Sequence, residues 1–142
     1  MFARILIHTA TMRLHEITMS RARRRDTPDA ALAAGQSKRG VLAAAAEIVS
    51  VFCSAGDLTA APKNPIQDFA AYIAALAFLE NFAVAGDAQS RGSVVFFVDM
   101  LQALGRSNAV AGIFADQLLA ESRRFGIHGT ESGAASVPFP AD

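Results

Sequence analysis

The sequence predicts an all-α fold, a small bundle of four main helices, and three observations predict it. Apolar residues recur at helical spacing in the long segments between residues 37 and 126. Capping residues stand before those segments, and glycines stand after most of them. Only residues 94–98, three valines and two phenylalanines, have the composition of a strand.

The first helix is expected over about 37–55, where Val41, Ala45, Ile48 and Phe52 fall on one face and Gly56 follows as a residue tolerant of left-handed backbone. The second, about 65–85, has the clearest start. Asn64 is its N-cap, Pro65 takes the first helical position, where a missing N–H costs nothing, and Gln67 completes a capping-box variant. Gly86 ends it. After a turn at 87–92 the third helix is expected over 93–104, because Met100, Leu101 and Leu104 extend the apolar set of residues 94–98 and Gly105 stands as its cap. The fourth, 108–125, starts at Ser107 or Asn108. Val110, Ile113, Phe114, Leu118 and Phe125 are expected inward, with Arg123 and Arg124 at the negative end of the helix dipole.

These helices make one domain, 37–126, as a chain of 142 residues allows. Residues 1–36 read as a basic, mobile arm. They hold a short apolar opening, an Arg-rich stretch and a linker-like 27–29, with no sustained apolar face, so residues 1–30 are expected to be dispensable for folding. Met12 and Met19 are alternative starts. Residues 127–142, rich in Gly, Ser, Ala and Pro, read as a disordered tail.

Net charge is zero, yet residues 1–40 carry +5 and residues 41–122 carry −5. A basic arm precedes an acidic body. The Arg and Ala bias is that of a GC-rich bacterial genome. Cys53 is the only cysteine and is expected as a small core residue, so no oxidising compartment is needed. Lys38-Arg39 before an apolar run fails as a secretory signal because Glu47 interrupts the run, and a cytoplasmic location is expected. No stretch reaches the roughly 18 apolar residues of a membrane span.

The candidates for chemistry are few. His8, His15 and His128 lie in the arm or the tail, which leaves the body without a histidine for acid–base work. The helix carboxylates Glu47, Asp68, Glu80, Asp99, Asp116 and Glu121 lack the Glu-x-x-His pairs of di-iron bundles. They read as solvated positions, except Asp99, which interrupts an apolar run and is expected buried or interfacial. No catalytic, metal or cofactor site is expected. Residues 101–115 have a helix-turn-helix outline, but the second helix would offer Val110, Ala111 and Asp116 to DNA, where basic or polar groups are needed. Residues 1–17 are basic and partly apolar without the sustained face of a membrane-surface helix.

Function is therefore read from surface. Residues 65–85 carry only Asp68 and Glu80 as charges, and their apolar side chains fall on more than one face. Four helices offer too little material to cover them. The excess is expected to drive self-association or partner binding through Phe69, Tyr72, Ile73, Leu76, Phe78, Leu79, Phe82, Phe96 and Phe97, with Ala70, Ala71, Ala74 and Ala75 permitting close helix approach. The expected function is that of a small homodimeric regulator that covers a surface of another protein, a transcription factor or a signalling protein. The alternative is nucleic-acid binding, with Arg21, Arg23, Arg24 and Arg25 neutralising phosphates. No aromatic residue interleaves these arginines to stack on bases. An apolar ligand pocket between helices is a third class that leaves little sequence trace.

Overall fold

The computed structural model of the chain describes residues 2–58 and 63–127. It contains five packed helices and no strand among the described residues: α1 (Phe2–Arg23), α2 (Pro28–Ser54), α3 (Pro65–Ala85), α4 (Ala88–Gly105) and α5 (Ala109–Arg124). The disordered-tail expectation falls on residues that, beyond Ile127, lie outside the described ones.

The fifth helix comes from the expected arm. α1 packs as an antiparallel hairpin on α2, and its Ile5 and Met12 are fully buried in the common core. Both histidines of this segment are thereby part of the body: His8 and His15 are half-buried, and His15 lies where a Cβ on Gly40 would stand 2.4 Å from its imidazole. No single apolar face announces α1, because it has two on opposite sides. Ile5, Met12 and Met19 turn inward at seven-residue spacing, while Ile7, Leu14 and Ile17 turn out.

Residues 27–29, expected as linker, start α2. Thr27 is the N-cap, its hydroxyl oxygen accepting from the Ala30 N–H at 3.2 Å, and Pro28 occupies the first turn. Val41, Ala45, Ile48 and Phe52 are all buried as expected. Cys53, one residue round the helix from Phe52, is exposed and not a core residue. α3 begins as expected, with the Asn64 side-chain oxygen accepting from the Ile66 N–H at 3.0 Å, and ends at Gly86 in left-handed backbone, φ 64°.

α4 starts earlier than the 93 expected. Asp87 caps it by accepting from the Ser90 N–H at 2.9 Å, and the Asn81 amide donates to both Asp87 and Ser90. Residues 94–98 are helix. Gly105 is not a left-handed cap; it is the last residue of α4, and Arg106 continues in right-handed backbone. A Cβ at Gly105 would lie 2.8 Å from the Gly112 Cα, so glycine stands there because the backbones of α4 and α5 touch. That close approach also resets the phase of α5. Its buried line is Ala111, Ala115, Leu118 and Ser122, while Val110, Ile113 and Phe125, expected inward, are exposed.

α3 is the middle of the molecule. It meets the α1–α2 hairpin on one side and the α4–α5 hairpin on the other, and it is in contact with each of the four other helices. Its length and composition are those of a membrane span, but half of the tested window is buried inside the bundle. An almost charge-free helix is thus largely surrounded by the other helices of one chain, with Ile66 and Val84 left exposed near its ends, and α1 supplies material that a four-helix count lacks.

Candidate functional site

The residues expected to form an interface are mostly consumed by this packing. Tyr72 and Phe69 are half-buried against Phe114 of α5, with ring centroids 4.9 and 6.1 Å away. Phe97 is fully buried, edge-on to Phe52 at 6.1 Å and to half-buried Phe96 at 5.3 Å. Phe78 is buried and Phe82 half-buried. Ile73 and Leu79 are buried as well but border a groove, and half-buried Leu76 opens onto it.

The groove opens where α1 crosses α3. α1 packs closely on α2, but meets α3 over a much shorter length. A hollow of about 510 Å³ lies between the end of α1, the middle of α2, the second half of α3 and the end of α5. Val41, Leu42, Leu76 and Leu79 line it from α2 and α3, with Val84 and Phe125 at its far side. A second hollow of about 310 Å³ shares Met19, Val41, Leu76 and Glu80 with the first and extends it past Ile73 to Arg13 and Glu16. The two hollows adjoin along α3, the larger one mostly apolar and the smaller one bordered by the charged Arg13, Glu16 and Glu80.

Around the larger hollow the charges are segregated, while the smaller one has Arg13 and Glu16 together on its α1 side. Arg23 and Lys38 stand on the α1–α2 wall, Glu80 and Glu121 on the α3–α5 wall. Glu121 has Arg124 at 3.6 Å, and Arg13 is held by Glu16 at 2.7 Å and lies 5.7 Å above the Phe69 ring. Arg23, Lys38 and Glu80 make no ion pair among the described residues. An amphipathic segment laid in the channel would bury its apolar side on leucines and valines and meet a cationic and an anionic rim.

The arginine cluster is divided by its position. Arg21 and Arg23 occupy the last turn of α1, where they suit the helix dipole, and Arg24 and Arg25 form the turn that follows. Arg23 faces the groove. Arg23 also borders a separate hollow at the α1–α2 turn, together with Arg25 and Asp26. The helix-turn-helix outline of 101–115 is the Gly105–Gly112 contact, and its second helix presents exposed Val110 and Ile113.

Asp68, expected on a solvated position, is buried. Burial pushes its carboxyl above the usual carboxylate range, and a hydrogen bond from the Asn108 amide at 2.7 Å partly opposes the rise. Asn108 also caps α5, its side-chain oxygen accepting from the Val110 N–H, so one residue ties the starts of α3 and α5 together. The Asp87 carboxyl is held below its usual range, chiefly by the Ser90 N–H. Asp99 is half-buried. Among the described residues no three His, Cys, Asp or Glu side chains gather as a metal site. Asp68, Asp87 and Asn108 have structural work: they fix helix starts. The chain matches no family model, no curated protein and no solved structure.

Proposed function

We propose that the chain is a small regulatory interaction protein that takes an amphipathic segment of a partner protein, a transcription factor or a signalling component, into the channel between α1 and α3. The observation that supports this reading is the pair of adjoining hollows along α3, with Leu42 and Leu76 in the lining of the larger one and Arg23 and Lys38 facing Glu80 and Glu121 around it. Helix-in-groove recognition uses such a floor for affinity and such a rim for orientation. Self-association belongs to the same proposal, but through a surface other than the α3 residues that line the hollow.

Affinity capture with the full chain from its native cell, beside the groove variants Leu42→Glu and Val84→Glu, tests the reading. Val84 is 77% exposed, so that variant folds without strain. A partner retained by the wild-type chain and by Leu32→Glu, on an exposed position away from the channel, is expected to be lost with both groove variants. Equal capture by all the variants would refute it.

A further inference from the structure

Along the outer side of α1, Ala3, Ile7, Ala10, Leu14 and Ile17 follow one another at steps of four, three, four and three residues. That spacing keeps a narrow apolar seam facing a second helix. The structure leaves the seam bare: Ile7 is 62%, Leu14 66% and Ile17 51% exposed, and Ala3 and Ala10 are exposed as well. We propose that this seam pairs with the same seam of a second copy of the chain, antiparallel, about a two-fold axis passing near Ala10. The proposal rests on the preceding reading only for self-association, and it uses no residue assigned there to capture of the partner segment.

The sequence of the seam suits that operator. A two-fold axis at Ala10 sets Ala10 on its own copy and Ala3 against Ile17, and brings Ile7 within one residue of Leu14, so the small residues sit at the crossing and at the ends. Alanine at the crossing lets the backbones come close enough for the larger side chains on either side to interdigitate. One patch serves both subunits and the assembly closes at two.

Charge selects the direction. A parallel pair would stack Arg21, Arg24 and Arg25 on their own copies. In the antiparallel pair these arginines run past the first turn of the other α1, to the level of the end of that subunit's α2. This follows because α1 and α2 are antiparallel within each chain, with His15 beside Gly40 and Arg4 paired to Glu47 at 3.5 Å. The end of α2 has no base in its last turn, presents the negative pole of the helix, and has exposed Glu47 two turns below. Asp26, in the same turn as the arginines, offsets one of them. An anionic bilayer would also attract this end of α1, but two of the five seam positions are alanine and give little to insert.

Sedimentation of the full chain over a range of micromolar concentrations tests the pairing. The seam lies at the lower end of the size of specific interfaces, so a reversible dimer is expected. Leu14→Glu is expected to weaken it roughly tenfold or more, since a carboxylate would be buried without a partner. Helical content stays unchanged because Leu14 is exposed in the single chain. Ile113→Glu, at a 61% exposed position of α5, is expected to leave the dimer intact. The double variant Arg24→Glu, Arg25→Glu is expected to weaken it several-fold, and added salt to do the same to the wild type. A wild-type chain that stays monomeric throughout would overturn the proposal. So would a dimer indifferent to Leu14→Glu, or a monomer that floats with vesicles of anionic phospholipid through these same residues. Loss of partner capture with Leu42→Glu while the dimer persists would separate the two interfaces.

Discussion

Replacing Ile5 with alanine should destabilise the fold far more than the same change at Ile7, two residues away on the same helix. Ile5 is fully buried in the core with Met12, Ile48 and Val51, whereas Ile7 is 62% exposed. Ile5→Ala removes three carbons from that core, about 2.4 kcal/mol of transfer free energy at about 0.8 per methylene. The cavity left between two long helices adds to this, giving a loss of about 3 to 4 kcal/mol within the usual range for such truncations. For a chain of this length the midpoint of thermal unfolding should fall by roughly 10 °C, at about 3 °C per kcal/mol. Ile7→Ala should stay within about 0.5 kcal/mol, as exposed substitutions do. Circular dichroism melts at a concentration low enough to keep the chain monomeric give both values. Equal, small shifts for the two variants would refute the placement of α1, because a helix that does not pack has no inner and outer side.

Three further expectations follow from single contacts. Gly105→Ala should lower the unfolding midpoint although alanine favours a helix interior by about 1 kcal/mol, because its Cβ would meet the Gly112 backbone at 2.8 Å; a rise would show that α4 and α5 do not touch there. Thr27→Ala should cost about 0.5 to 2 kcal/mol in denaturant unfolding, as loss of an N-cap does, and no change would move the start of α2. For Asp68 the sign is set by its raised folded value: the folded state holds this proton more tightly, so its contribution is most favourable below the ordinary 3.8 and is lost as pH rises through the folded value. Asp68→Asn keeps an acceptor for Asn108 and should remove that loss, so its advantage over the wild type should grow with pH through the carboxylate range; a variant uniformly less stable would contradict the burial argument.

What the sequence disclosed, and what it hid, turns on how strong each local signal is. Asn64-Pro65 and Thr27-Pro28 are the same start signal, an N-cap followed by proline in the first turn. The first precedes Phe69, Tyr72 and Ile73 and reads at once as helix. The second precedes an Ala- and Gly-rich run whose apolar period is faint, and it reads as linker. α1 was illegible for another reason, since two opposed apolar stripes leave no amphipathic face to find. On α5 the pattern places Leu118 and Phe114 inward correctly, but residue size misleads at Val110, Ile113 and Phe125, which are exposed. In the structure the small residues Ala111, Ala115 and Ser122 are buried, since close packing against a glycine contact favours volume that is absent. The groove is legible only through its α3 residues; its other wall belongs to α1 and α2 and its far end to α5, which no local pattern brings together. Asp68 looked like a solvated acid because its partner Asn108 lies 40 residues away in sequence.

The channel, the covering of α3 and the outward seam all require α1 to be part of the folded body. Native-state hydrogen exchange on the full chain tests that directly. The amides between Ile5 and Met19 are expected to be protected to a degree approaching those between Val41 and Phe52 in α2, with the first turn fraying. Exchange of the whole of α1 at the rate of an unfolded peptide, while α2 to α5 remain protected, would contradict the account.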